Sequence, residues 1–129
     1  MLRSLGLVLV LGSAITQMYG TDVTSMGDVA RGQTGHFRIY VDGPSIFFPI
    51  YVNYSVSGTA IPGVDYVALV SPRYIHCLDD CSVFIPVTTL PDVRGPIFPQ
   101  SYSVVVSLEP GLHYTVREPS SAQMLIVPQ

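Results

Sequence analysis

Apolar and polar residues alternate with a period of two along several stretches of this 129-residue chain. Side chains of a strand point to alternate faces of a sheet, so this period predicts strands that have one face on a core and one in water. The apolar positions of the four clearest stretches are Phe37, Ile39 and Val41; Val52, Tyr54 and Val56; Val83, Ile85 and Val87; and Tyr102, Val104, Val106 and Leu108. Weaker patterns at residues 22–29 and 66–75, and an apolar run at 124–127, predict further strands.

Turn-forming residues separate these stretches. Asp42-Gly43-Pro44 follows the first clear strand, and Glu109-Pro110-Gly111 follows another. Pro62-Gly63 fits a type II turn, because proline presets the first central φ and glycine accepts the positive second one. About seven short strands with regular turns predict an all-β fold, an immunoglobulin-like β-sandwich of about seven antiparallel strands in one domain.

The first twenty residues have the pattern of a signal peptide. One arginine precedes the apolar run Leu5–Ile15, which is too short to span a membrane. Small residues at Gly12 and Ala14 suit cleavage after Ala14 better than cleavage after Gly20. We therefore predict a signal peptide at 1–20, a domain at 21–129, export to an extracellular or periplasmic location, and no transmembrane span in the mature chain. The alternative is that the apolar run forms a buried first strand.

Composition excludes several classes of function. Charged residues make up 12% of the chain, lysine is absent, and the net charge is −3, so there is no clustered basic footprint for nucleic acid. A hydrophobic content of 48% excludes a disordered tail. No serine lies in a G-x-S-x-G turn and no glycine-rich phosphate loop occurs. These observations predict that the protein is not an enzyme.

One segment carries a more specific resemblance. Val52–Ala60 (VNYSVSGTA) followed by Gly63–Tyr66 (GVDY) resembles the signature of the Calx-beta family. Other stretches resemble strands of that family in the same order: Gly35–Val41, Val83–Thr89 and Tyr102–Leu108. The resemblance implies a β-sandwich that often binds calcium through acidic loops at one end. It also implies a module that often works in adhesive arrays, and hence a role in cell adhesion.

The same resemblance implies a set of calcium-ligand positions. Asp65 and Asp92 retain carboxylates there, whereas the remaining positions hold Arg31, Ile97 and Gln100. Calcium takes six to eight oxygen ligands, and two carboxylates supply about four, so the expected affinity is roughly millimolar or weaker. The resemblance thus predicts a degenerate calcium site, with a calcium-binding module as the alternative. Asp65 could instead fix its own turn through a hydrogen bond, and Asp92 could be a solvated turn residue.

Two cysteines lie where the resemblance to the Calx-beta family implies a hairpin turn. Cys77 and Cys81 are expected to form a disulfide in an exported protein, and such a small loop gains about 2 kcal/mol from the bridge. The alternative is a metal site that combines the cysteines with His76, Asp79 and Asp80. This alternative is disfavoured because zinc sites usually gather ligands from separate elements.

Aromatic residues occur in two predicted loops that have few charges. Phe47, Phe48 and Phe98 could contact a partner or cap the ends of the core. The leading hypothesis is an exported, non-catalytic module for contact with an unknown protein or cell-surface partner. The second is a calcium-binding module and the third an enzyme with an unrecognised site. Self-association through edge strands is a further option.

Overall fold

The computed structural model describes residues 19–42, 50–75, 81–94 and 100–129. These ranges contain strands and no helix, so they hold no helix that could cross a membrane. The strands are β1 (Tyr19–Ser25), β2 (Val29–Ala30), β3 (Thr34–Asp42), β4 (Ile50–Ser57), β5 (Arg73–Ile75), β6 (Cys81–Thr88), β7 (Tyr102–Glu109), β8 (Tyr114–Val116) and β9 (Ser121–Val127).

The strands form the two sheets of a sandwich. One sheet has the order β6-β3-β1-β8 and the other β2-β9-β7-β4-β5. The all-β sandwich predicted from the sequence is confirmed. The described ranges hold nine strands instead of about seven, and the β1–β8 and β2–β9 pairs are parallel rather than antiparallel. The two additional strands are β2 and β8, whose two and three residues are too few for a period of two to be visible. β5 occupies only the last three residues of the strand predicted at 66–75.

The predicted inward positions form the core between the sheets. Phe37, Ile39 and Val41 of β3 are fully buried, and so are Val104 and Val106 of β7. Three predicted core residues at the margins, Val56, Val83 and Tyr102, are only partly buried against this cluster. Alternation therefore identified the core face of β3, β4, β6 and β7, because successive side chains of a strand must point to opposite sides.

The first strand begins two residues before the predicted domain boundary. Tyr19 is 1% exposed and belongs to the core, and its backbone N–H donates to the carbonyl oxygen of His113 at 3.1 Å. Residues 1–18, which hold most of the predicted signal peptide, lie outside the described residues. Cleavage after Ala14 would leave this core tyrosine in the mature protein, whereas cleavage after Gly20 would remove it.

The outer edge of β6 is largely occupied. Pro86 has no N–H to offer, and the carbonyl oxygen of Phe84 accepts a hydrogen bond from Arg73 Nη2 at 3.0 Å. The carbonyl oxygen of Thr88 accepts one from the N–H of Val67 at 2.9 Å. The other edge strands, β2, β5 and β8, have three residues or fewer. Pro86 and these hydrogen bonds interrupt the outer edge of β6, and an interrupted edge is a poor template for a strand from another chain.

The hydroxyl of a buried tyrosine, Tyr114, connects the β7–β8 turn to β4 through hydrogen bonds. The hydroxyl of Tyr114 donates to the carbonyl oxygen of Glu109 at 2.5 Å and accepts from the N–H of Asn53 at 3.0 Å. Gly111 lies against the ring, where an added Cβ would come within 2.5 Å of Cε1 and of the hydroxyl oxygen of Tyr114. This arrangement corresponds to the tyrosine corner of immunoglobulin-like sandwiches.

We predict that Tyr114→Phe lowers the free energy of unfolding by about 1–3 kcal/mol, because the buried N–H of Asn53 loses its partner. Urea unfolding followed by circular dichroism measures this change. Tyr51→Phe is the matched control, since the side chain of Tyr51 is half exposed and is expected to tolerate the loss of its hydroxyl. Equal stabilities of the two variants would contradict the structural role of the Tyr114 hydroxyl.

Candidate functional site

The candidate site is built on the turn that follows β4. The N–H of Val64 donates to the carbonyl oxygen of Ile61 at 3.0 Å, and Gly63 has a φ of 84°, so Pro62-Gly63 forms the predicted type II turn. The Asp65 side chain folds back onto this turn, where Oδ2 accepts the N–H of Ile61 at 2.7 Å. Asp65 therefore fixes its own turn, in line with the alternative interpretation of its role.

Two arginines from distant parts of the chain meet the Asp65 carboxylate, which is 0% exposed. Arg31 directly follows β2, and its Nη2 lies 2.5 Å from Asp65 Oδ1. Arg94 follows β6 and binds in bidentate fashion, with Nη1 2.6 Å from Oδ1 and Nη2 2.7 Å from Oδ2. Arg31 also donates from Nη1 to the carbonyl oxygen of Leu90 at 2.7 Å. Both carboxylate oxygens of Asp65 thus accept two hydrogen bonds each.

Asp92 joins the cluster through the arginines. Its Oδ1 accepts hydrogen bonds from the backbone N–H and from Nη1 of Arg94, both at 3.1 Å. Its Oδ2 lies 3.9 Å from Arg31 Nη2, and its side chain is 26% exposed. The two predicted ligand residues, Asp65 and Asp92, therefore lie at the same end of the sandwich, on either side of guanidinium groups.

An aromatic ring completes the cluster. Tyr102, the first residue of β7, lies with its ring centroid 4.1 Å from Arg94 Cζ and 5.7 Å from Arg31 Cζ. A guanidinium within about 6 Å of a ring centroid is attracted by the negative face of the ring. The Arg94 side chain therefore has the Asp65 carboxylate and an aromatic ring as partners, although it belongs to a surface turn.

Electrostatics in the cluster favour the charged forms. The hydrogen bond from Arg94 holds the pKa of Asp65 well below its ordinary value, assisted by the N–H of Ile61 and by Arg31 and opposed by burial. The same bond raises the pKa of Arg94 above its ordinary value. The backbone N–H of Arg94 is the main cause of a lowered pKa for Asp92. A carboxylate whose pKa is lowered this far is a poor general acid or base near neutral pH.

These residues do not fit a calcium ion in this arrangement. A carboxylate has about four lone-pair positions, and all four of Asp65 already accept hydrogen bonds. Calcium would also have to enter beside the two guanidinium charges of Arg31 and Arg94. Among the described residues, no three His, Cys, Asp or Glu side chains are grouped as metal ligands.

Sequence reasoning identified Arg31 as a cation beside the site but missed Arg94. The available signal was local, because Arg94 lies two residues after Asp92, a predicted ligand. Its contact with Asp65 spans 29 residues and could not be read from spacing. Of the two other predicted ligand positions, Gln100 is exposed and Ile97 lies outside the described residues.

Several predicted site residues cannot be placed within the described ranges. Cys77, Phe47, Phe48 and Phe98 lie outside them. Cys81 begins β6 opposite Val41, but its side chain is not described. The disulfide and the aromatic contact loops therefore remain predictions.

A second feature of the molecule is the unequal charge of its two outer surfaces. The outward positions of the four-stranded sheet carry Asp22, Arg38 and Asp42, and Arg117 directly follows β8. Arg117 bridges two of these acids, at 2.9 Å from Asp42 and 3.5 Å from Asp22. This surface is therefore charged and well suited to water.

The outward positions of β4, β5, β7 and β9 form the outer face of the five-stranded sheet. Glu109, the last residue of β7, is the only charged residue among them. Ser55, Ser107 and Ser121 form a row across three adjacent strands. At the β5 edge, Tyr51 and Tyr74 pack edge to face with ring centroids 5.4 Å apart.

Comparison with known proteins identifies the fold. No family model matches the sequence, and no curated protein matches it. Ten solved chains match. One of them is the crystal structure of CBD12 from CALX1.2, with a TM-score of 0.63 and 17% identity over 84% of this chain and 44% of that chain. The present chain thus spans less than half of that protein and has a distant Calx-beta-like fold.

We predict that Asp65→Asn lowers the free energy of unfolding by about 3 kcal/mol at neutral pH, because it leaves the buried Arg31 without its counter-charge. The pKa of Asp65 is lower in the folded state than in the unfolded state. Its stabilising contribution is therefore complete above the unfolded value of about 4 and is lost as the pH falls through the lowered folded value.

Urea midpoints measured from pH 7 to pH 2 test this expectation. The difference between the protein and Asp65→Asn is expected to shrink only below about pH 4. Glu109→Gln serves as the control, because Glu109 is exposed on a surface strand. A difference that is independent of pH over this range would contradict the ion-pair interpretation.

Proposed function

We propose that this chain is an exported, non-catalytic Calx-beta-like module that works by contact with another protein or with a cell surface. The contact surface is the outer face of the five-stranded sheet. The observation that carries this proposal is the near absence of charge: Glu109 is the only charged residue at the outward positions of β4, β5, β7 and β9. The similarity of the fold to a Calx-beta domain is consistent with a module of this class.

The chemistry of this face suits a protein interface. Interface centres are depleted of charge and enriched in aromatic residues. Tyr51 and Tyr74 remain 53% and 55% exposed, and the serine row beside them can form hydrogen bonds with a partner. Covering the charged four-stranded sheet would instead require desolvation of four ionised side chains.

The cluster at the end of the sandwich supports a non-catalytic role. Asp65 is its most buried acid, and its lowered pKa makes it unsuited to exchange protons near neutral pH. The aromatic residues Phe47, Phe48 and Phe98 are additional candidate contacts on the loops.

The alternative is a calcium-binding module, which the likeness to a Calx-beta domain favours. The two arginines that fill the coordination positions of Asp65 oppose it.

We predict that Ser55→Arg abolishes contact, because it places a charged side chain at the exposed end of the serine row. Thr115→Arg is the matched control, since Thr115 is exposed on β8 of the charged sheet. Two measurements apply to each protein: sedimentation velocity over a range of concentrations, and saturable binding of the labelled protein to cells of its source.

The protein and Thr115→Arg are expected to show the same association, and Ser55→Arg is expected to lose it. Loss in both variants would indicate a general charge effect and would contradict the assignment of the face. If the protein neither self-associates nor binds cells, the contact function itself is wrong.

Export leads to a separate prediction about the mature N-terminus. Signal peptidase is expected to cut after Ala14, because this site has suitable small residues and leaves Tyr19 in the core. Intact-mass measurement of the secreted protein locates the cut. A mature chain that begins at Thr21 would show that the domain folds without the core contact of Tyr19.

A further inference from the structure

We propose that the guanidinium groups of Arg31 and Arg94 act as built-in cations that order this end of the sandwich in place of a bound calcium ion. This inference is independent of the contact surface proposed above. It rests on three features of the cluster: its charge balance, the number of chain segments it joins and the geometry of its hydrogen bonds.

The charges balance within the cluster. Arg31 and Arg94 contribute two positive charges, and Asp65 and Asp92 contribute two negative ones, all connected by contacts of 2.5 to 3.9 Å. A buried carboxylate such as that of Asp65 must be paired with a cation or lose its charge. Two guanidiniums supply the same total charge as one divalent ion, so the carboxylates need no metal for neutralisation.

The cluster connects chain segments that are far apart in sequence. Arg31 follows β2, Asp65 lies between β4 and β5, Arg94 follows β6, and Tyr102 begins β7. Arg31 holds Asp65 and the carbonyl oxygen of Leu90 at the same time. A metal ion orders loops by collecting ligands from several segments, and here two side chains collect the same kind of oxygen acceptors.

The geometry requires arginine specifically at position 94. Its two terminal nitrogens meet the two oxygens of Asp65 at 2.6 and 2.7 Å, while its Cζ lies 4.1 Å from the centroid of Tyr102. A planar guanidinium can form such a paired contact and stack on a ring, whereas a lysine ammonium provides one point charge. Arg94→Lys is therefore expected to retain the charge and lose the paired geometry.

The test compares thermal unfolding of the protein and of Arg94→Gln, in a chelating buffer and in 10 mM calcium chloride. The unaltered protein is expected to have the same Tm in both buffers. Arg94→Gln is expected to have a Tm lower by about 5 °C or more in the chelating buffer. Calcium is expected to restore part of this loss, since Asp65 and Asp92 regain free oxygens.

Three control measurements make the outcome specific. Arg117→Gln removes an arginine from a surface ion pair on the other sheet and is expected to show no calcium response. Arg94→Lys is expected to have an intermediate Tm. Magnesium chloride at the same ionic strength separates calcium coordination from charge screening. Circular dichroism before heating confirms that each variant is folded.

Some results would overturn the proposal. A rise in the Tm of the unaltered protein with submillimolar calcium would show that the arginines do not replace the ion. Equal Tm values for Arg94→Gln and Arg117→Gln would show that Arg94 does not order this end. If Arg94→Gln is destabilised but insensitive to calcium, Arg94 acts only as a hydrogen-bond donor and its role as a cation is wrong.

Discussion

The buried carboxylate of Asp65 is the charge around which one end of this sandwich is organised. A carboxylate without solvent must have its charge compensated and its lone pairs occupied, or it becomes neutral. Asp65 meets both requirements through Arg31, Arg94 and the N–H of Ile61. The turn after β4, the segment after β2 and the turn after β6 are joined by this one group. The conformations of these segments therefore depend on one another.

The fold resembles that of a Calx-beta domain, but the oxygens of the Asp65 carboxylate are already occupied by hydrogen bonds within the chain. One end of the sandwich carries the acidic residues Asp65 and Asp92, and the cations that meet them, Arg31 and Arg94, are part of the same chain. The same arrangement that stabilises the Asp65 charge also occupies its oxygens. The hydrogen bonds that order this end therefore leave no Asp65 oxygen free to bind a metal ion. Arg31 and Arg94 both contact the carboxylate, so it serves as a hydrogen-bond acceptor in this chain.

The other charged residues are distributed unequally between the outer faces of the two sheets. The four-stranded sheet turns charges of both signs to water, and the five-stranded sheet turns serines and tyrosines outward. The long edge of β6 is covered by Arg73 and Val67 and interrupted by Pro86. Contact through backbone pairing is therefore less favoured than contact through a sheet face. The uncharged face offers side chains that a partner can cover without desolvating ions.

The sequence by itself determined the strands, the inward positions and the sandwich, because alternation is a local property that a long strand such as β3 or β7 displays within a few residues. It also placed Asp65 directly after a type II turn, since Pro62-Gly63 encodes that turn directly. Only the tertiary structure decided that β2 and β8 are strands, that β5 has just three residues, and that Arg31 and Arg94 meet Asp65. These pairings join residues 34 and 29 positions apart. No short-range pattern specifies them, because they exist only after the two sheets have packed and brought separate turns to the same end.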